Sequence, residues 1–132
     1  MHSALAHLPL LSGLSRRRLR RLARDARFVE YAPRDFIVQA GETADELHVI
    51  LSGRARVIGK PHARVLERGD YFGELALLDG GVRSAAIVAS TEVHALVIPH
   101  YALIELLEDE PQVAKAMLTD LSSKLRWLEQ AA

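Results

Sequence analysis

Apolar residues along this chain fall into three successive textures. From Leu8 to Arg27, Leu11, Leu14, Leu19, Leu22, Ala23 and Ala26 lie near helical spacing, and Ser15 stands where an N-cap would precede the arginine run. A helix is expected there. From Phe28 to Pro99 the pattern shortens to the β-prone runs FVEYA, DFIVQAG, ELHVILSG, RARVIG, ARVLERGDYF, AAIVAS and EVHALVIP, punctuated by Gly41, Gly53, Gly59, Gly69 and Gly73. After Pro99 the helical texture returns. His100 to Asp109 forms one short segment, and Pro111 takes the place where a proline best starts a helix, opening a run to Gln130.

Many short strands with glycine turns imply a closed or sandwich-like β unit. The expected architecture is mainly β with flanking helices: an N-terminal helix over residues 8–27, a β-roll over 28–99, and two C-terminal helices over 100–130. Within the last helix Ala114, Leu118, Leu121, Leu125 and Leu128 follow steps of four and three, an apolar stripe that can pack on its own roll or on a second copy of the chain.

At 132 residues the chain fits one domain, spanning residues 1–132, and 49% apolar content is enough for a core without metals or bridges. Cysteine is absent, which excludes a disulfide framework and thiolate chemistry and suits a reducing cytoplasm. Seventeen basic residues balance seventeen acidic ones, so attraction to polyanions has to be local. The longest apolar runs are far too short to cross a bilayer, and no signal-like N-terminus precedes the first helix, so no membrane insertion is expected.

The stretch that carries chemistry is Phe72 to Val88, FGELALLDGGVRSAAIV. Gly73 permits an unusual backbone angle and close approach of a ligand, Glu74 follows, and Leu75 to Leu78 favour one short helical turn. Free N–H groups at a helix start favour an anion, and Arg83, nine positions beyond Glu74, supplies a forked cation for phosphate oxygens. The glycine pair Gly80–Gly81 can turn the chain back toward that start. One carboxylate and one arginine then mark the two ends of a small pocket, an acceptor for a sugar hydroxyl and a clamp for a phosphate.

The run Phe72-Gly73-Glu74-Leu75-Ala76-Leu77-Leu78, followed by Arg83-Ser84-Ala85, closely resembles the phosphate-binding cassette of the cyclic-nucleotide-binding domain family. Gly41-Glu42 with Asp45, Leu51-Ser52-Gly53 and Gly69-Asp70 match that family's turn positions, so the resemblance covers residues 8 to 130. The family's fold is a double-stranded β-helix, a jelly-roll-like β-roll. The resemblance implies that Gly73 and Glu74 engage the ribose 2′-hydroxyl, that Arg83 and Ser84 hold the cyclic phosphate, and that the N–H groups of Leu75 and Ala76 complete the anion site. Ala85 closes the cassette.

In the family the last helix covers the base, which makes Lys124, Trp127 and Leu128 the lid candidates. Ser84 after the arginine leans toward cAMP, with cGMP as the other ligand. Val82 departs from the proline that usually precedes the arginine, and His48 stands where an aromatic often does. Both departures bear on loop rigidity and core packing more than on ligand contact.

Other residues point to plainer roles. Arg16, Arg17, Arg18, Arg20, Arg21, Arg24 and Arg27 lack interleaved aromatics and are expected to form a solvated face of the first helix. The six histidines show no spacing suited to a metal, so no metal ion is expected. The serines include no nucleophile elbow and no aspartate pair suggests acid–base work, so the expected role is a sensor and not an enzyme. A catabolite-activator mode needs a helix-turn-helix after the long helix, and the sequence stops at Ala132; nucleic acid is not expected to be bound by this chain alone. The expected partners are a cyclic nucleotide, and either a second copy through the C-terminal helix or an effector domain. The rival reading keeps the fold as an interaction domain without a ligand.

Overall fold

The computed structural model describes residues 5–43, 45–59, 64–74, 82–83 and 85–131 of the chain. A 3-10 turn at Pro9–Leu11 precedes helix α1, Arg16–Asp25. The expected single helix over 8–27 is thus divided. Leu8 is extended and Pro9 opens the short turn, and the helix proper begins only where the Ser15 hydroxyl accepts from the Arg18 N–H at 3.1 Å. Arg27 leaves the helix for the first strand.

Among the described residues eight strands follow: β1 Arg27–Tyr31, β2 Phe36–Val38, β3 Glu46–Ser52, β4 Ala55–Ile58, β5 Val65–Leu66, β6 Tyr71–Phe72, β7 Ala86–Ala89 and β8 Val93–Pro99. They build two four-stranded antiparallel sheets, ordered β1-β8-β3-β6 and β2-β7-β4-β5. Helices α2, His100–Asp109, and α3, Pro111–Ala131, complete the chain. The chain is mainly β with flanking helices, as the turn pattern implied.

Both faces of the first sheet are covered, which explains why β3 and β8 are almost continuously apolar. Because side chains alternate across a strand, Leu47, Val49, Leu96 and Ile98 point to the helical layer, where they meet Leu19, Leu22, Leu103, Leu106 and Val113. Ile50 and Val93 point into the roll, where they meet Ile37, Val38, Ala55, Leu66, Phe72, Ile87 and Ala89. Register follows the same logic, with Leu47 opposite Ile98 and Val49 opposite Leu96.

All five punctuating glycines take positive φ. At Gly53, where φ is +88°, a Cβ would also run into the Glu92 carbonyl, so the β3–β4 turn admits no larger residue. The outer layer is tied by charge. Arg18 Nε lies 3.7 Å from Asp109, and Arg21 reaches both Asp109 and Glu105, fastening α1 to α2.

Of the expected apolar stripe on α3, Ala114 and Leu121 are half-buried and two leucines face solvent. Leu118 and Leu125 are 62% and 54% exposed, whereas the row turned inward begins with buried Val113 and Met117. Among the described residues, no helix is long and apolar enough to cross a membrane.

Candidate functional site

The site begins where β6 ends. Phe72 is buried and stacked on His48 of β3, with ring centroids 4.8 Å apart and planes 9° from parallel. His48 is neutral in this setting, because burial first, and then the charges of Arg83 and Arg27, lower its pKa to about 3. Directly after Phe72 the backbone turns at Gly73, with φ +100°. A Cβ there would stand 2.9 Å from the Glu46 carbonyl and collide with the Arg83 guanidinium. Glycine is required by crowding as well as by conformation.

Arg83 approaches from a segment docked on the Gly41 turn. Its N–H donates to the Glu42 carbonyl at 2.8 Å, its carbonyl accepts from the Gly41 N–H at 2.9 Å, and Thr43 bridges Val82. The side chain is buried. Nη2 donates to the Glu46 carbonyl at 2.8 Å, while Nη1 is buried with no hydrogen-bond partner among the described residues. Burial pulls the arginine's pKa down, opposed by the carboxylates of Asp45, Glu46, Glu42 and Glu74. The result is a cation held in a fixed orientation by a neutral carbonyl, with Nη1 unspent among the described residues.

Glu74, also buried, accepts an ion pair from Lys124 of α3 at 3.1 Å. Lys124 Nζ also lies 5.7 Å from the centroid of the Tyr71 ring. One helical turn earlier, Asp120 accepts a hydrogen bond from the Tyr71 hydroxyl at 2.6 Å. Burial and that carboxylate together push the Tyr71 pKa up.

The structure therefore brings Gly73, Glu74, Arg83 and Lys124 together, with Ala85 half-buried just ahead of β7. Leu75, Ala76 and Ser84, and the expected helical turn and glycine pair, lie outside the described residues; Leu128 is described in its backbone alone. Of the lid candidates, Lys124 is seen on the site, and Trp127 lies on α3 at 51% exposed. Sequence reasoning missed Tyr71 and Asp120. A signal was available: on the inward row of α3 the apolar residues Val113 and Met117 give way to Asp120 and Lys124 at the same spacing of four and three, a change of chemistry with no change of face.

A buried arginine thus faces a positive-φ glycine and a buried glutamate on the edge of a two-sheet roll. The sequence model of the cyclic nucleotide-binding domain matches residues 28–110, and the chain belongs to that family. The chain is 26% identical over 132 residues, 96% of its length, to a CRP-like cAMP-activated global transcriptional regulator of Mycobacterium tuberculosis, and spans 59% of that protein. It is 33% identical over 93 residues to a cAMP-dependent protein kinase regulatory subunit of Schizosaccharomyces pombe, covering 69% of this chain and 23% of that one. Among solved structures, the catabolite activator protein of Thermus thermophilus superposes with a TM-score of 0.78 at 27% identity, over 92% of this chain and 60% of that one. These relatives are regulators and regulatory subunits.

Proposed function

We propose that residues 1–132 form one cyclic-nucleotide sensor domain that binds cAMP, and cGMP less well, without chemistry on the ligand. Arg83 clamps the cyclic phosphate, assisted by Ser84 and the N–H groups of Leu75 and Ala76. Gly73 and Glu74 receive the ribose 2′-hydroxyl, and α3 reports occupancy. The observation that carries this reading is the buried Nη1 of Arg83, which has no hydrogen-bond partner among the described residues. A fixed cation beside a glycine too crowded for any side chain has the geometry of a waiting counter-ion site.

The outer face of α3 is the surface offered to a partner. Leu118 and Leu125 are exposed and seven residues apart, and Ala114 and Leu121, likewise seven apart, continue the heptad repeat. A self-complementary seam of this kind fits a second copy of the chain, with an effector domain as the other occupant. A cytoplasmic setting agrees with the absence of cysteine.

The test is calorimetric titration with cAMP, cGMP and adenosine, with sedimentation of the same sample to read its mass. At about a hundred times its dissociation constant, cAMP should stabilise the fold by roughly 2.7 kcal/mol and raise the melting temperature by several degrees. Adenosine, which lacks the phosphate, should do much less. No response to millimolar cAMP or cGMP would turn the reading to an interaction domain that keeps the fold alone.

A further inference from the structure

Helix α3 is held to the roll by two different chemistries. Its N-terminal half is anchored by Val113 and Met117, which are 1% and 8% exposed within the helical core. Beyond Met117 the inward row turns polar, and two contacts reach across to the roll, Asp120 to Tyr71 and Lys124 to Glu74. A cavity of about 350 Å³, with Arg64, Arg68, Tyr71, Asp120 and Lys124 among its walls, opens along this seam in place of apolar packing. Apolar packing tolerates sliding of a helix; a short charge-assisted hydrogen bond fixes a direction.

Asp120 and Lys124 are four residues apart, so they share one face of α3 and move together. Tyr71 is the penultimate residue of the strand–turn that delivers Gly73 and Glu74, so one contact sets the geometry of the other. Glu74 Oε1 is taken by Lys124, yet a carboxylate has room for further donors, and a ligand hydroxyl can join without displacing the ammonium. Without Lys124 opposite it, Glu74 would be a buried charge lacking its counter-ion.

We propose that the Tyr71–Asp120 hydrogen bond is a tether that positions Lys124 on Glu74 and so prepares that carboxylate for the ribose hydroxyl. Tyr71 and Asp120 are thus positioning residues acting through Lys124. Docking of α3 and capture of the hydroxyl then reinforce each other, since a coupling between two events on one element is reciprocal. The inference rests on the reading of Glu74 as the ribose acceptor given above.

The experiment compares cAMP with 2′-deoxy-cAMP in the parent, Tyr71→Phe and Asp120→Asn, variants that keep ring and shape. Loss of the tether should weaken cAMP about three- to ten-fold, the worth of one good hydrogen bond, while leaving 2′-deoxy-cAMP within about two-fold of the parent. Adding Tyr71→Phe to Lys124→Met should cost nothing further. Unchanged cAMP binding in Tyr71→Phe, or equal weakening of both nucleotides, overturns the proposal. If the parent binds neither nucleotide the reading of the site falls, and the tether is judged on the free protein. Faster amide exchange over residues 118–127 in Tyr71→Phe then supports it, and unchanged exchange overturns it.

Discussion

Two arginines are withdrawn from solvent by this fold to almost the same degree, Arg18 at 8% and Arg83 at 7% exposed, and they are used in opposite ways. Arg18 lies in the helical layer with Asp109 of α2 3.7 Å from its Nε, and Arg21 beside it takes the same carboxylate. Arg83 lies at the roll's edge, tied at Nη2 to the uncharged Glu46 carbonyl, and no ion pair forms on it among the described residues. Orphan nitrogens do not separate the two, since Arg18 also leaves Nε and Nη1 without hydrogen bonds. What separates them is the charge opposite. Arg18 has its counter-ion at close range within the chain; Arg83 is braced by a backbone carbonyl with carboxylates only at longer range among the described residues, and on the reading proposed above it is the arginine that meets an anion from outside.

The sharpest way to break this contrast is Arg83→Ala. Truncating one partner of a buried, hydrogen-bonded charge pair costs about 2 to 5 kcal/mol, so cAMP affinity should fall roughly thirty-fold to several thousand-fold. The melting temperature of the free protein should fall less than in Arg18→Ala, because the packed stem and the bond to the Glu46 carbonyl are lost but no internal ion pair is. Lysine at this position should recover part of the affinity, a point ammonium being unable to reproduce the forked contact. Binding within about three-fold of the parent would remove Arg83 from the site.

Arg18→Ala should give the mirror image. The loss of its packed stem and of the Asp109 pair should cost about 1 to 3 kcal/mol of stability, read by denaturant melts. Affinity for cAMP should be unaltered. A binding defect as large as that of Arg83→Ala would mean that burial alone, and not the missing counter-ion, marks a binding arginine.

His48 offers the finest probe, because the charge of Arg83 bears on it. An unfolded histidine takes up its proton near pH 6.5, whereas folded His48 stays neutral to about pH 3. Between those values the unfolded state binds the extra proton. His48 therefore contributes its full stability above pH 6.5 and loses it as pH falls toward 3, by at most about 1.4 kcal/mol per pH unit. His48→Phe should remove that slope from the difference between parent and variant. In Arg83→Ala the His48 pKa, followed by NMR, should rise, and in Arg18→Ala it should stay. Equal movement in both would erase the distinction drawn between the two arginines.

Much of the site was legible along the chain because its parts are neighbours in sequence. Gly73 and Glu74 are adjacent and Arg83 follows at a fixed interval, so residue types and spacing carry the chemistry of an anion and a hydroxyl. The five glycine turns were legible for a local reason too: positive φ is a property of one residue. The faces of α3 were not. Its leucines repeat as an apolar stripe, and only the packed structure shows Leu118 and Leu125 in solvent while Val113, Met117, Asp120 and Lys124 face inward.

By itself, the amino-acid sequence determined the alternation of textures and the turn positions, since each depends on periodicity or on the conformational limits of single residues, while the cassette from Gly73 to Ala85 was marked by its resemblance to a known family. Tertiary structure decided which arginine keeps its counter-ion and which is left waiting, for Asp109 lies far along the chain from Arg18, and Glu46 far from Arg83. It also decided that Lys124 rests on Glu74 and Asp120 on Tyr71, contacts spanning 50 and 49 positions. No local pattern encodes such pairs, because they depend on where the sheet of the roll presents its edge to the last helix.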